Sequence, residues 1–175
     1  MAVKKRALSA SRLREVLNYD PETGIFVWIV NKGTRAKAGN VAGSPTSKGY
    51  IEIQIDGKEY LAHRLAFLWM KGAFPIQQVD HENGIHDDNC WLNIRKASNG
   101  ENQQNIKIRC DNKSGFLGVS RNKDTGRWVA QITANGEKIY LGLFDTPEAA
   151  HAAYLAAKAK LHKFQPVPRA ERIAA

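Results

Sequence analysis

The chain contains 175 residues, which is enough for one ordinary domain or two small ones, and we expect two. Its 26 Lys and Arg residues outnumber 17 Asp and Glu residues, and the resulting charge of +9 favours a polyanionic partner. Only two cysteines occur, Cys90 and Cys110, and no Cys-x-x-Cys pair, so neither a disulfide framework nor a thiolate zinc site is indicated. We expect both cysteines to pack as small apolar groups.

The sequence carries no pattern for export or membrane insertion. Its basic start lacks the apolar stretch of about 7–15 residues that a secretory signal requires. The longest apolar cluster, residues 61–70, contains His63 and Arg64 and falls short of the roughly 20 residues that cross a bilayer. We therefore expect a soluble, cytoplasmic protein with no membrane partner, and we favour a monomer.

Hydrophobic spacing predicts four elements in the first 75 residues. Residues 8–17 have helical spacing, and residues 25–30 form a β-branched and aromatic run that is typical of a buried strand. Alternation over residues 50–61 around an Asp-Gly turn predicts a β-hairpin. Residues 62–71 then have a helical pattern that ends at a glycine.

From residue 115 the pattern changes. Three alternating segments, residues 115–121, 127–133 and 138–144, are separated by Asp-Thr-Gly and Asn-Gly turns and predict an antiparallel meander. Thr146 is then placed to cap a helix with Pro147 at its first position. We expect this alanine-rich helix to pack on the sheet.

The stretch over residues 79–106 is too rich in Asp, Asn and Gly for an ordinary helix or strand. Hydrolysis of a phosphodiester needs a base to activate water, a cation to neutralise the phosphate and help for the departing oxygen. Four residues of this stretch could supply them: Asp80, His81, Asn93 and Asn102. Because adjacent side chains of a strand point to opposite faces, Asp80 and His81 share one site only at a strand end or a bulge.

The last of these residues follows a helix start signal. Ser98-Asn-Gly-Glu101 has the form of a capping box, which predicts a helix and places Asn102 one turn into it. A hard cation such as Mg²⁺ prefers oxygen ligands and keeps several waters. One carboxylate and one amide carbonyl from the protein are therefore enough to bind such a cation.

The order Asp-His, an Asn twelve residues after the His and a further Asn nine residues later resembles the HNH endonucleases of the phage and intron type. Residues 60–67 and the pair Asp88-Asn89 are similar to the same subgroup. The resemblance implies a ββα-metal unit with one divalent cation, Mg²⁺ or Mn²⁺, in a phage-encoded enzyme that acts on double-stranded DNA. The final position of the family motif is often His, so Asn102 identifies an Asn-ending variant. The metal preference and the cutting mode of the His-ending members are therefore not carried over to this chain.

The same resemblance implies a role for each motif residue. Asp80 and Asn102 correspond to the metal ligands, His81 to the general base, and Asn93 to the residue that fixes the loop and the orientation of His81. Outside the motif, we expect His63 to be a packing residue and His86 to lie in a loop near the DNA. Arg95 and Lys96 lie close enough in sequence to bind flanking phosphates, although such a pair is usually a solvated face.

Period-two alternation also divides the C-terminal sheet into two faces. Trp128, Ala130 and Ile132 are expected to face the helix. The outward set comprises Arg127, Val129, Gln131 and Thr133 on the second strand, Lys138 and Tyr140 on the third, and Ser120, Arg121 and Lys123 at the end of the first.

Residues 115–164 resemble the Apetala/ethylene-response-factor DNA-binding domain over its full length. The likeness is carried by Gly118-Val119, residues 127–132, Tyr140-Leu-Gly142 and residues 144–150. The resemblance implies a three-stranded sheet in the major groove of DNA with the helix behind it. The outward side chains of the sheet are therefore expected to contact DNA. Ser120, Gln131 and Thr133 stand where plant members often carry Arg, Glu and Arg, so the target sequence is not implied.

The sequence therefore predicts an α+β fold. An N-terminal region of mixed β-hairpin and helix contains the ββα-metal unit, and a three-stranded antiparallel sheet packed on one helix follows. The predicted parts are an endonuclease domain over residues 1–108, a linker over 109–114, a DNA-binding domain over 115–164 and a disordered tail over 165–175. The predicted function is a homing-like endonuclease that nicks DNA or cuts both strands, targeted by its C-terminal sheet.

Two other functions stay open at this point. The first is a non-cleaving, sequence-specific DNA-binding regulator that retains the shape of the site without its activity. The second is RNA binding, which is less favoured because a sheet suits the wide major groove of B-form DNA rather than the A-form groove of RNA.

Overall fold

The computed structural model describes residues 7–33, 36–104, 108 and 111–164. Short helices and antiparallel sheets confirm the predicted α+β class. In chain order the elements are α1 Ala10–Val16, β1 Leu17–Tyr19, β2 Phe26–Trp28, β3 Ser44–Pro45, β4 Ile51–Ile55, β5 Lys58–Leu61, α2 Ala62–Lys71, β6 Gln78–His81, β7 Ile94–Ala97, α3 Asn99–Gln103, β8 Val119–Arg121, β9 Trp128–Ala134, β10 Glu137–Phe144 and α4 Pro147–Leu161.

The chain divides into one compact unit up to Ala97 and a second from Ser98. This division precedes the linker expected at residues 109–114, because α3 contacts the C-terminal helix. Lys163 Nζ lies 2.8 Å from a carboxylate oxygen of Glu101, and Lys158 Nζ donates to the backbone oxygen of Gln104 at 2.6 Å. The predicted tail over residues 165–175 and Cys110 lie outside the described residues.

Among its described residues, the first unit contains two helices and three small antiparallel sheets. β4 and β5 form the predicted hairpin, and its turn residues Asp56 and Gly57 have φ angles of +50° and +76°. Arg12 and Lys32 both form ion pairs with Asp56, at 2.9 and 2.5 Å, and so connect the turn to the rest of the unit. The largest fully buried side chains are Leu13, Val16, Leu17, Phe26, Ile53, Ile55 and Leu65.

A second hairpin of this unit was only half predicted. β2 lies within the strand expected at residues 25–30, but its partner β1 was not predicted, because the helix was expected to continue to residue 17. The helix ends at Val16, and the next three residues pair with β2. The chain therefore reverses direction through residues 20–25, and this turn contacts the candidate site described below.

The second unit contains the predicted three-stranded meander, with β9 between β8 and β10, and α4 packed against it. Ala130 and Ile132 are buried, which confirms the inward face of the sheet. Thr146 caps α4 through its hydroxyl, and Pro147 occupies the first helical position, as predicted. No helix within the described ranges is both long and apolar enough to cross a membrane.

Gly118 of the second unit is expected to be intolerant of a side chain. Its φ is +73°, and a Cβ atom added there would lie 2.0 Å from the ring of Tyr154 on α4. Left-handed strain and overpacking together predict that Gly118→Ala lowers the stability of this unit by about 2–5 kcal/mol. Denaturant-dependent hydrogen exchange of β9 measures the loss.

Gly115 offers a matched control for this substitution. Its φ is +74°, but an added Cβ would meet nothing within 4 Å. Gly115→Ala is therefore expected to lower stability by only about 1–2 kcal/mol, from backbone strain alone. Equal losses in the two variants would contradict the claim that the Tyr154 contact requires glycine.

Candidate functional site

Asp80 and His81 are the last two residues of β6, where they pair with Arg95 and Ile94 of β7. His81 therefore lies at the strand end that a site shared by two neighbouring residues requires. Both residues are buried, with 8% and 2% of their surface exposed. Burial, and then the charge of Asp80, raise the pKa of Tyr50, whose ring lies 5.8 Å from the ring of His81. Tyr50 therefore feels the charge of Asp80 and also lies near the ring of His81.

Arg95 neutralises the carboxylate of Asp80. Its Nε donates to Asp80 Oδ2 at 3.0 Å, and its Nη1 lies 3.3 Å from Glu82 Oε1. Arg95 was expected to bind a flanking phosphate, but its guanidinium is directed at two carboxylates of its own hairpin. Its neighbour Lys96 is exposed, with Nζ 5.9 Å from the ring centroid of Phe67, and its role as a phosphate contact stays a prediction.

The ring of His81 is enclosed by polar and aromatic side chains. Its Nε2 lies 3.2 Å from Oδ1 of Asn89 in a buried hydrogen bond. The ring of His63 approaches edge-on at 5.1 Å between centroids, and that of His86 lies at 6.1 Å. Burial lowers the pKa of His81, while the hydrogen bond with Asn89 acts in the opposite direction. A lowered pKa favours the neutral imidazole, the form in which a histidine acts as a general base.

Asn93 fixes the loop that joins β6 to β7. Its Oδ1 accepts from the backbone N–H of Asn83 at 3.0 Å, and its Nδ2 donates to the backbone oxygen of Asp88 at 2.7 Å. These bonds hold both sides of the loop. The side-chain contact with His81 comes instead from Asn89. No role was predicted for this residue, which entered only through the likeness of the pair Asp88-Asn89 to the family. Its position next to Asp88 in an Asx-rich loop gives no signal for this contact.

Two further histidines extend the cluster. His86 stacks on Tyr50 with 4.2 Å between ring centroids, and its Nδ1 contacts the backbone oxygen of Lys48 at 2.7 Å. His63 is a packed residue, as predicted, with 5% of its surface exposed. Its Nδ1 has no hydrogen-bond partner among the residues that the structure describes. Burial first, and then the charge of the nearby His81, lower the pKa of His63 to about 3.

In the described part of the chain, no three His, Cys, Asp or Glu side chains lie close enough together to hold a metal ion. Mg²⁺ takes one or two carboxylates and several waters, so it does not require such a cluster. The assignment of Asp80 as its carboxylate ligand stays a prediction. Burial raises the pKa of the Cys90 thiol to about 11, which keeps it protonated at neutral pH.

Asn102 lies in α3, which begins as the capping box predicts. Ser98 Oγ accepts from the backbone N–H of Glu101 at 3.2 Å, and Glu101 Oε2 accepts from that of Ser98 at 2.8 Å. The backbone N–H of Asn102 donates to the backbone oxygen of Ser98 at 2.9 Å. Because α3 belongs to the second unit, the first unit contains three of the four predicted motif residues, Asp80, His81 and Asn93, and Asn102 lies in the other unit.

The outward face of the C-terminal sheet follows from its register. Tyr140 lies opposite Gln131, and Lys138 lies opposite Thr133, so each pair shares a face. Arg127 forms an ion pair with Asp145 at 2.8 Å. Arg121 donates to the backbone oxygen of Gly126 at 3.2 Å. Of the other predicted contact residues, Ser120, Lys123, Thr133, Lys138 and Tyr140 are exposed, whereas Val129 and Gln131 are half-buried.

Two comparisons relate the chain to known proteins. Residues 114–163 match the model of the AP2 domain, which confirms the resemblance noted for residues 115–164. A solved structure described as "DNA binding and cleavage by the HNH homing endonuclease I-HmuI" aligns with 77% of this chain and 75% of that chain, at 16% identity and a TM-score of 0.38. At that TM-score the likeness carries no argument about this chain.

Proposed function

We propose that the chain is a metal-dependent endonuclease that hydrolyses phosphodiester bonds in duplex DNA, with its C-terminal sheet as the DNA-binding surface. The observation that carries this proposal is the environment of His81. Its imidazole is buried at the end of β6 and hydrogen-bonded to Asn89, and the charge of Asp80, the preceding residue, acts to raise its pKa against the effect of burial. A base beside an oxygen ligand is the pair of groups that metal-assisted hydrolysis requires.

In this proposal His81 accepts a proton from the water that attacks the scissile phosphorus in line. Asp80 and Asn102 would hold one Mg²⁺ or Mn²⁺ ion, and Asn93 keeps the loop of His81 closed. The ion, when bound there, would supply positive charge to neutralise the phosphate and the departing 3′ oxygen. The products carry a 5′ phosphate and a 3′ hydroxyl. One such site cuts one strand at each engagement, so cutting both strands takes a second event or a second copy.

The pairing of Asp80 with Asn102 rests on the spacing of the sequence. Ala97, the last residue of β7, pairs with Gln78 of β6, and α3 begins two residues later at Asn99. This order of two strands and a helix is the one that the family resemblance implies. The ion pair between Asp80 and Arg95 means that a cation has to bind in competition with a guanidinium.

A supercoiled plasmid tests the nuclease proposal. Incubation of the full chain with plasmid and Mg²⁺ or Mn²⁺ is expected to give nicked or linear DNA, and excess chelator is expected to prevent it. A parallel binding assay in chelator shows whether the protein still binds duplex DNA without metal. Binding without any conversion of the plasmid in either metal would support the non-cleaving regulator instead.

The sheet surface is proposed to contact DNA through the exposed residues of β9 and β10. Lys138 and Tyr140 project from the face opposite α4, and the net charge of +9 favours a phosphate backbone as the partner. Removal of one phosphate contact lowers the salt dependence of binding by about one unit of slope. We therefore expect Lys138→Ala to weaken DNA binding and to reduce that slope, measured by fluorescence anisotropy over a salt series.

Lys160 provides the control for this measurement. It is exposed on α4, the helix that packs against the other face of the sheet. Lys160→Ala removes the same charge and is expected to leave the slope closer to that of the wild type. An unchanged slope in Lys138→Ala, or an equal reduction in both variants, would show that the outward face of the sheet is not the DNA contact.

A further inference from the structure

Asn89 has a hydrogen-bonding pattern that defines which nitrogen of His81 carries a proton. Its Nδ2 donates to the backbone oxygen of Asp87 at 3.0 Å, so the amide is oriented with Oδ1 toward His81. An amide oxygen only accepts hydrogen bonds, and the Nε2 of His81 must therefore be the donor. A neutral imidazole has one N–H group, so Nδ1 is then the nitrogen that accepts a proton.

The backbone of Asn89 is held in place by the N-terminal hairpin. The hydroxyl of Tyr19 donates to the backbone oxygen of Asn89 at 2.7 Å, in a buried bond between residues 70 positions apart. Gly24 packs so closely that an added Cβ would lie 2.4 Å from the carbonyl carbon of Asn89. The backbone N–H of Trp91 donates to the backbone oxygen of Pro21 at 2.8 Å. The hairpin of β1 and β2 thus contacts the loop at Asn89 and at Trp91.

We propose that Asn89, supported by Tyr19, is a positioning residue that fixes the ring of His81 in the Nε2–H tautomer. Asn89 is 2% exposed, and its Oδ1 makes its hydrogen bond to the ring of His81 rather than to the loop backbone. The conformation of the loop is secured separately by Asn93. The N-terminal hairpin, which lies outside the two strands and helix of the HNH motif, is therefore part of the machinery that prepares the base.

The consequence for cleavage rests on the proposed nuclease function, but the tautomer does not. NMR of protein labelled with ¹⁵N-histidine distinguishes Nε2–H from Nδ1–H rings directly, and the His81→Gln variant identifies the signals of His81. The wild type is expected to show the Nε2–H form at neutral pH. A dominant Nδ1–H form in the wild type would overturn the proposal, whether or not the protein cuts DNA.

Asn89→Leu keeps the branched shape of the side chain and removes the acceptor. We expect it to convert the single tautomer of His81 into a mixture of both. Asn18→Leu, the same change at an exposed position of β1, is expected to leave the spectrum as in the wild type. Tyr19→Phe keeps the ring that stacks on Phe26 at 4.6 Å and removes only the hydroxyl, so it serves if Asn89→Leu fails to fold. We expect a smaller change of tautomer in this variant.

Cleavage by the same variants gives the second readout. Loss of a partner that orients a catalytic ligand typically lowers activity by about 10–100-fold. We expect Asn89→Leu to lower kcat by that factor with little change in KM, because the residue acts through His81 and not on DNA. A tautomer that is unchanged in both Asn89→Leu and Tyr19→Phe would refute the proposal. A wild type with the Nε2–H tautomer but no cleavage would instead refute the nuclease function alone.

Discussion

Replacing His81 with alanine is expected to lower the rate of metal-dependent DNA cleavage by about 10²–10⁴-fold while leaving the affinity for duplex DNA unchanged. In the proposed mechanism the imidazole, buried at the end of β6, accepts the proton from water, and an alanine side chain cannot replace it in this role. DNA binding is assigned to the C-terminal sheet, which the substitution does not touch. Single-turnover cleavage and anisotropy, measured on the same preparation, separate the two effects.

His86→Ala is the matched control for this prediction. His86 lies on the same loop, with its ring 6.1 Å from that of His81, but it stacks on Tyr50 and contacts a backbone oxygen. We expect its replacement to change the cleavage rate by less than about tenfold. Added imidazole is expected to restore part of the rate in His81→Ala and none in His86→Ala. A wild-type cleavage rate in His81→Ala would show that His81 is not the general base.

Acidification is expected to destabilise the first unit through His63. An unfolded chain protonates histidine near pH 6.5, whereas burial keeps the folded His63 neutral down to a pKa of about 3. Its contribution to stability is therefore complete above about pH 6.5 and is lost as the pH falls toward 3. Between pH 7 and pH 4 the loss is about 3 kcal/mol at most.

Urea unfolding at several pH values measures this effect. Three of the four tryptophans, Trp28, Trp69 and Trp91, lie in the first unit, so tryptophan fluorescence mainly follows its unfolding. His63→Phe keeps an aromatic ring beside Tyr50 and His81 and removes the titrating group. The variant is expected to lose less stability than the wild type between pH 7 and pH 4. His81, whose pKa is also lowered, contributes acid sensitivity that this variant retains. Identical pH profiles for the two proteins would assign the acid sensitivity to other groups.

Local signals accounted for much of the fold. The Asp56-Gly57 turn, the Ser98 capping box and the Thr146-Pro147 helix start each depend on a few neighbouring residues, and the structure contains all three. The alternation of β9 likewise identified its buried face. These features could be predicted because the residues that determine each of them lie only a few positions apart in the sequence.

Contacts between distant residues could not be predicted in this way. The bond from Tyr19 to Asn89 joins residues 70 positions apart, and neither residue belongs to a periodic pattern that indicates the contact. The pairing of Asp80 with Arg95 depends on the register of β6 with β7, which the loop between them determines. Lys158 is buried against α3, although a lysine in a helix is usually solvent-exposed, because its ammonium reaches the backbone oxygen of Gln104.

The central claim is that Asp80 and Asn102 hold one divalent ion next to His81. Anomalous diffraction from crystals of the full chain with duplex DNA and Mn²⁺ tests it most directly. We expect a single Mn²⁺ peak within coordination distance of the Asp80 carboxylate and the Asn102 amide oxygen, with a DNA phosphate between the ion and His81. A Mn²⁺ ion that contacts neither residue, or Asp80 still paired with Arg95 and no ion beside it in the DNA complex, would contradict the account.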